Sequence, residues 1–199
     1  MSQMEYQRRD AEQMRERIID AAVHLFEKGG SSIVSMRKIA ERIDYSPAAL
    51  YLYFKGKKDI LLALSDKGFG LLYQRMLPVA STPDPKERLL ELCRVYLAFA
   101  AEEPEYYRLI FSDPEVHYPN PTEDSARKPA YLTYSLLQDA TQECMERGLL
   151  TAGDPLAATV GMWSAMHGVA SLLSGGRMHV VPQERLDSLA DDVLRFILR

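Results

Sequence analysis

The chain has 199 residues, of which 47% are hydrophobic and 26% are charged, and its formal net charge is −4. This composition is that of a globular protein large enough to form its core without disulfides or metal ions, and it excludes a disordered chain. The charge is uneven, since residues 1–58 hold eleven Lys and Arg against eight Asp and Glu, whereas the remainder is acidic. A basic segment on an acidic body is typical of a protein whose first part faces nucleic acid.

The cysteines and the apolar runs predict the compartment. Cys93 and Cys144 lie in apolar helical runs and are expected to be reduced core residues, with a structural or redox-sensing disulfide as the alternative. No apolar run approaches the roughly 18 residues of a membrane span, and the polar N-terminus is unlike a signal peptide. We therefore expect a cytoplasmic protein.

The apolar residues recur at helical spacing throughout the chain, which predicts an all-α fold of about nine helices. The first helix is expected to end at Gly29-Gly30. Ser35 caps a short second helix, and Ser46 caps a third helix over residues 48–54. Together they form a three-helix head with a helix-turn-helix, assigned to residues 1–58.

A fourth helix over residues 57–77 is predicted to connect this head to a helical body, residues 81–199. The first helix of the body begins at Asp84-Pro85, which supply an N-cap and a first-turn proline. The remaining helices are expected over Tyr106–Phe111, from about Ser125 to Gly148, from Asp154-Pro155 to Gly175-Gly176, and from Pro182 onward, with a loop over residues 112–124.

The third helix is the one that enters the major groove in a helix-turn-helix, with its N-terminal residues toward the base edges. Leu50 and Phe54 are four residues apart and are predicted to face the core. Tyr51 and Tyr53 are expected to be exposed, because two further rings would overfill a three-helix head. Burial of both tyrosines is the alternative.

The segment from Ser35 to Arg42, followed by Ser46, Leu50–Phe54 and Lys57, resembles the N-terminal signature of the TetR family of transcriptional regulators. Ile18–Ala22, Leu25-Phe26 and Gly29 resemble the first helix of that signature, so the resemblance covers roughly residues 12–65. It implies a homodimer that binds operator DNA through its head.

The resemblance also implies a role for each matching residue of the head. Arg37 is expected at a base edge, and Lys57 is expected to clamp a phosphate at the start of helix 4. The remaining expected DNA contacts are Ser35, Ser46, Tyr51 and Tyr53 at phosphates, and Pro47, Ala48 and Ala49 as apolar contacts to the bases.

Two features of the head depart from the family pattern or extend it. Asp44 stands where the family usually has glycine in the turn, and we expect it to adopt positive φ at a cost on the order of 1 kcal/mol. Arg8 and Arg9 are interpreted either as an extra phosphate-binding arm or as a solvated end of the chain.

Trp163, His167 and Gly168 resemble the WHG subclass of TetR C-terminal domains. The family resemblance implies that the last two helices of each subunit pair in a four-helix dimer bundle, and small residues at helical spacing suit such a close approach. The expected dimer residues are Ala157, Gly161, Ala165 and Gly168 on the first of these helices, and Leu186, Ala190, Val193 and Ile197 on the last.

The aromatic residues of the body suit an adaptable apolar cavity for a small-molecule effector, and plain core packing is the alternative for each of them. His167 is interpreted either as a polar anchor for the ligand or as a core histidine. The candidate ligand-binding residues are Tyr106, Phe111, Tyr131, Tyr134, Trp163 and His167.

The sequence therefore predicts a repressor that an apolar or aromatic effector releases from a near-palindromic operator, with no cofactor, metal or catalytic residue. The first alternative is an activator or a ligand-independent DNA-binding regulator. The second is a helical metal-dependent enzyme using Asp113, Glu115 and His117, whose spacing fits no recognised metal motif.

Overall fold

A computed structural model describes residues 3–116, 118, 122–151 and 153–197. This part of the chain contains nine α-helices and no strand, which confirms the predicted all-α fold class. The helices are α1 (Gln3–Ile33), α2 (Met36–Ile43), α3 (Pro47–Leu50), α4 (Lys57–Met76), α5 (Pro85–Glu102), α6 (Pro104–Phe111), α7 (Pro129–Glu146), α8 (Pro155–Ser174) and α9 (Gln183–Ile197), with short 3-10 segments at Val79–Ser81 and Glu123–Arg127.

Contacts divide the chain into two compact units. The head unit comprises Met1–Gly68 and Glu105–Asn120, and the body unit comprises Phe69–Pro104 and Pro121–Arg199. The segment after Pro104 thus belongs to the head unit by its contacts, whereas the sequence-based division places everything from residue 81 onward in the body.

Local side-chain caps set the helix starts. The Ser35 hydroxyl accepts a hydrogen bond from the Lys38 amide, and the Ser46 hydroxyl accepts one from the Ala49 amide, both at 3.2 Å. Asp84 and Asp154 cap α5 and α8 in the same way. Each of these caps was predicted, because the bonds span only two or three residues and depend on the local sequence alone.

Asp44 ends α2 with φ 58° and ψ 49°, the left-handed conformation expected at this position. The helical backbone of α1 is interrupted at Gly29 and Gly30, the position at which the first helix was predicted to end, because both glycines have non-helical angles, and a further helical turn follows to Ile33. Arg8 and Arg9 lie within α1, and Arg8 pairs with Glu12 on the next turn.

Two predicted helix bounds are wrong. The third helix ends at Leu50 and not at Phe54, because the amides of Tyr51, Leu52 and Tyr53 bond to carbonyls three residues earlier and form tight turns. The helix expected from about Ser125 begins at Pro129, since a proline lacks an amide hydrogen and fits the first turn of a helix.

The core of the head unit is made by side chains that α1, α2, α3 and α4 direct inward. Phe26, Ile39, Leu50 and Ile60 are each at most 1% exposed, and Phe54 is also buried, as predicted for the third helix. Full burial of a side chain of this size contributes about 1.5–3 kcal/mol. These contacts hold the short α3 against the head although it has barely one turn.

Gly68 lets α4 approach α6 closely. A Cβ at this position would lie 2.8 Å from the Tyr106 ring and 2.9 Å from the Ile110 side chain, both shorter than real contacts. Glycine at this position destabilises the helix by about 1 kcal/mol relative to alanine, but it allows the close packing of these two helices.

In the body unit, α5 contacts α7, α8 and α9. Leu89, Cys93 and Phe99 of α5 are fully buried, and Met166 of α8 is 1% exposed. Arg94 of α5 binds both carboxylate oxygens of Asp191 of α9, at 2.6 and 2.7 Å. These hydrogen bonds hold the pKa of Asp191 below its ordinary value and fix α9 on α5.

Candidate DNA interface and effector site

The exposed surface of the helix-turn-helix is formed by α3 and the turn that follows it. Pro47 and Ala48 are exposed and Ala49 is half-buried at the start of α3. Tyr51 is 57% exposed, as predicted. The surface therefore presents apolar groups and one phenol, which suit thymine methyl groups and phosphates.

Leu52 is 82% exposed and is the residue of this surface that sequence reasoning missed. In this segment only Leu50 and Phe54 have the spacing of core residues. Leu52, between Tyr51 and Tyr53, does not fit that spacing, and this misfit could have predicted that its side chain is exposed. An aliphatic side chain so fully exposed beside Tyr51 adds a further apolar contact to the candidate interface.

Tyr53 is half-buried and its ring packs against the core of the head unit, so the prediction that both tyrosines are exposed holds fully for Tyr51 alone. Its carbonyl accepts a hydrogen bond from Arg15 of α1, and the Arg15 guanidinium lies 4.2 Å from the centre of the Phe54 ring. These contacts fasten the turn after α3 to α1.

The two hydroxyls expected at phosphates both serve as helix caps. Ser46 is exposed and Ser35 is half-buried. Each Oγ accepts from a backbone amide, and a serine hydroxyl that accepts a bond keeps its own hydrogen for a further acceptor. The caps therefore leave both residues able to donate to a phosphate oxygen.

The cationic residues of the candidate interface differ in their partners. Arg37 is exposed and pairs with Glu41 one turn later, at 2.8 Å. The Lys57 ammonium is half-buried and lies 2.7 Å from the Glu115 carboxylate of the loop after α6. Lys55 and Lys58 flank Lys57 and are exposed, and sequence reasoning assigned no role to either.

In the body unit, the structure brings together three of the predicted ligand residues. The Tyr134 ring of α7 packs edge-on against Trp163 of α8, with 6.4 Å between ring centres. His167 follows Trp163 by one helical turn, and its Nδ1 lies 3.2 Å from the Tyr96 hydroxyl of α5. Burial lowers the pKa of His167, so the ring is neutral at neutral pH.

The other three predicted ligand residues have different surroundings. Tyr106 lies in the head unit, where its ring is 5.1 Å from that of Phe26. Phe111, also in the head unit, has its ring centre 5.2 Å from that of Tyr107, with the two rings tilted by 55°. Tyr131 of α7 is 38% exposed. The sequence grouped these rings by type, and their distribution over two units depends on packing.

The predicted dimer residues of α8 lie toward solvent. Ala157 and Gly161 are exposed, and Ala165 and Gly168 are half-buried. A Cβ at Gly161 or Gly168 would meet no atom within 4 Å. On α9, Val193 and Ile197 are half-buried, whereas the side chains of Leu186 and Ala190 lie outside the described part of the chain.

Large apolar side chains extend this surface. Leu156, Val160 and Leu172 of α8 and Phe196 of α9 are between 43% and 69% exposed. We call these four residues, with Ala157 and Gly161, the apolar α8–α9 face. Several large exposed apolar side chains on two helices that contact each other mark an interaction site more often than single scattered ones do.

By length and composition, α8 could cross a membrane, and it is the one such helix among the described residues. The prediction that no run reaches this length is wrong by that criterion, because α8 contains no Asp, Glu, Lys or Arg. The same composition is found in helices that pack in a protein core or between subunits.

The carboxylates of the alternative metal site have other partners. Asp113 accepts a hydrogen bond from the Glu115 amide at 2.9 Å, and Glu115 pairs with Lys57. His117 lies outside the described residues.

Cys93 and Cys144 are buried free thiols, and burial raises the pKa of Cys93 to about 12.

Two family models match most of the chain. Residues 18–64 match the model of bacterial regulatory proteins of the tetR family, and residues 89–197 match the model of the tetracyclin repressor-like C-terminal domain. The second match does not assign the WHG subclass, which stays a prediction.

The individual relatives and the solved structure that follow are all described as transcriptional regulators or repressors. The chain is 26% identical over 157 residues to YobS, an uncharacterized HTH-type transcriptional regulator of Bacillus subtilis, covering 79% of this chain and 77% of YobS. It is 40% identical over 61 residues to the HTH-type transcriptional repressor KstR of Rhodococcus jostii, covering 31% of this chain and 29% of KstR. A TetR/AcrR-family transcriptional regulator from Thermobifida fusca superimposes with a TM-score of 0.62 and 25% identity, covering 94% of this chain and 97% of that one.

Proposed function

Because this chain belongs to the TetR family of bacterial regulatory proteins, we propose that it is a homodimeric, cytoplasmic repressor that leaves its operator when a small molecule binds the body unit. DNA-binding transcriptional regulation is common to the family. The dimer, the operator symmetry, the effector and the direction of regulation are the parts that we propose for this chain.

The observation that carries the proposal is the exposed surface of α3 and its turn. Its N-terminal end is fixed by the Ser46 cap, and Tyr51 and Leu52 project into solvent from a head with a closed core. Its apolar groups make base contacts through thymine methyl groups, and DNA shape adds to the sequence preference.

Dimerisation is supported by the apolar α8–α9 face. Ala157 and Gly161 leave room for the backbone of a partner helix, and exposed Leu156 and Val160 beside them gain by burial. A two-fold dimer presents two copies of α3 about one DNA turn apart, roughly 34–36 Å, and therefore selects a near-palindromic operator.

The effector is assigned to the body unit, at the cluster of Tyr134, Trp163 and His167. An apolar wall with few polar groups is typical of small-molecule sites. The match to KstR covers 61 residues, 31% of this chain, and is no basis for assigning an effector to this chain. Release follows if the effector favours the body conformation that misplaces the two heads.

Activation of transcription, or regulation without a ligand, is the alternative to repression, and it differs in the sign of regulation and not in the site. Family membership indicates a transcriptional regulator, which is not an enzyme. A regulator must bind DNA with an affinity that falls as salt rises, which distinguishes it from a helical enzyme.

The test is a selection of bound sequences from random duplex DNA. The wild-type protein should recover a palindrome with half-sites about one turn apart. Tyr51→Ala should lose it, whereas Tyr6→Ala, a matched control at an exposed tyrosine of α1, should retain it. Failure of a dimeric wild-type protein to recover any consensus would refute the proposed operator binding.

A further inference from the structure

The hydroxyl of Tyr134 is a buried polar group without a partner. Among the described residues, two buried side-chain polar atoms make no hydrogen bond, Tyr134 Oη and Arg88 Nε. The Arg88 guanidinium still pairs through Nη2 with Glu143 at 2.7 Å, so its charge is compensated. The hydroxyl of Tyr134 has no such second bond, and leaving a buried hydroxyl unpaired is unfavourable because the bonds to water that it loses are not replaced.

Other buried hydroxyls of the body unit are satisfied within the chain. Thr133, Thr141 and Thr159 each donate to the carbonyl four residues earlier, at 2.7 to 2.8 Å. Unlike these three threonine hydroxyls, the Tyr134 hydroxyl makes no hydrogen bond within the described part of the chain. Since buried polar groups in folded proteins are nearly always bonded, the missing acceptor or donor is best supplied by a molecule that is not part of the chain.

The side chains near Tyr134 indicate the chemical class of that molecule. Its ring lies edge-on to Trp163, which offers an aromatic wall 37% exposed. One turn further along α8, His167 bonds to Tyr96 through Nδ1, while its Nε2 lies 3.5 Å from the Ser171 hydroxyl. Among these side chains only His167 could become charged near neutral pH, and burial keeps it neutral by lowering its pKa. The group as a whole therefore carries no charge at neutral pH.

We propose that the effector of this protein is an apolar molecule with one uncharged oxygen, such as an alcohol, ketone or ester, and that this oxygen bonds to the Tyr134 hydroxyl against Trp163. The inference rests on the proposed function only in assigning the effector to the body unit. A carboxylate or ammonium group here would be buried beside Trp163 and a neutral His167, which offer it no opposite charge, and such burial is costly.

Trp163 is the only tryptophan of the chain, so its fluorescence reports on this site directly. The 199-residue protein is titrated at pH 7.5 with 1-decanol, decanoate and decylamine, which share a chain length and differ in the charge of the polar end. We expect saturable quenching or a spectral shift with 1-decanol, and affinity at least tenfold weaker for the two charged probes. No response to 1-decanol, or equal affinity for decanoate, overturns the proposal.

Tyr134→Phe should weaken 1-decanol binding about tenfold, the effect of one lost hydrogen bond. Tyr45→Phe, which removes an exposed phenol from the head unit, is the matched control and should bind 1-decanol like the wild type. Equal weakening in both variants, or none in Tyr134→Phe, contradicts the assignment of the hydroxyl.

A second measurement needs no ligand. Removing an unpaired hydroxyl relieves a desolvation cost, so the Tm of Tyr134→Phe without probe should equal or exceed that of the wild type. A Tm lower by several degrees would mean that the hydroxyl is bonded within the protein, and it overturns the proposal. Operator binding, measured in parallel, tests the proposed function separately, because neither fluorescence nor Tm depends on DNA.

Discussion

The Lys57 ammonium and the Glu115 carboxylate lie 2.7 Å apart, so the lysine that begins α4 is already paired within the head unit. Lys57 is the residue that family resemblance assigns to a DNA phosphate. That role stays a prediction, and from it we expect the Glu115 carboxylate to compete with a phosphate oxygen for the lysine.

Glu115→Gln should therefore raise operator affinity three- to tenfold, because the substitution frees the lysine charge. It should also steepen the dependence of log affinity on log salt by about one, the effect of one additional phosphate contact. Fluorescence anisotropy at three salt concentrations measures both quantities. Glu102→Gln, which breaks an ion pair with Arg75 in the body unit, is the control and should change neither. A weaker complex with Glu115→Gln would indicate that Glu115 orients Lys57 for DNA.

Leu52→Ala should lower operator affinity about tenfold with no change in the salt dependence, since an apolar contact displaces no counterions. Its Tm should stay within a degree or two of the wild type, because the side chain is 82% exposed. The same binding titrations and thermal unfolding test both statements. Leu77→Ala removes an exposed leucine that lies just after α4, outside both proposed interfaces, and should retain the slope and the affinity. Unchanged affinity in Leu52→Ala would remove this residue from the interface.

Gly161→Arg should yield a monomer, because a long cationic side chain on the apolar α8–α9 face blocks close approach of a partner helix. Nothing lies within 4 Å of a Cβ at this position in the isolated chain, so folding should be unaffected. Light scattering should give the mass of one chain, and operator binding should fall by at least a hundredfold, since two linked heads bind far more tightly than one. Gly153→Arg, in an exposed loop, should stay dimeric. A monomeric variant with wild-type operator affinity would contradict the dimer proposal.

Stability should fall in mild acid because of His167. Burial lowers its pKa below the ordinary value of about 6.5, so the folded state binds fewer protons than the unfolded chain. The contribution is fully present above pH 6.5 and is lost as the pH falls through that value toward the folded pKa. We expect the drop in Tm between pH 7.5 and 5.5 to be smaller in His167→Gln. His179→Gln, at an exposed position, should keep the wild-type slope, and an unchanged slope in His167→Gln would contradict the assignment.

The sequence by itself determined the elements whose cause is local. The starts of α2, α3, α5 and α8 follow from Ser35, Ser46, Asp84 and Asp154, because each cap bonds to an amide two or three residues away. The positive φ of Asp44 and the burial of Leu50 and Phe54 were predictable for the same reason, since turn geometry and helical spacing depend on neighbouring residues.

The tertiary structure alone decided the partners of the functional groups. Glu115 is 58 residues from Lys57 in sequence, and no periodicity connects them. Tyr106 and Tyr134 looked equivalent as aromatic residues of a predicted body, yet one packs on Phe26 in the head unit and the other keeps a buried hydroxyl free of partners beside Trp163. Such pairings depend on which helices come together and at what distance, and that is set by the packing of the whole core.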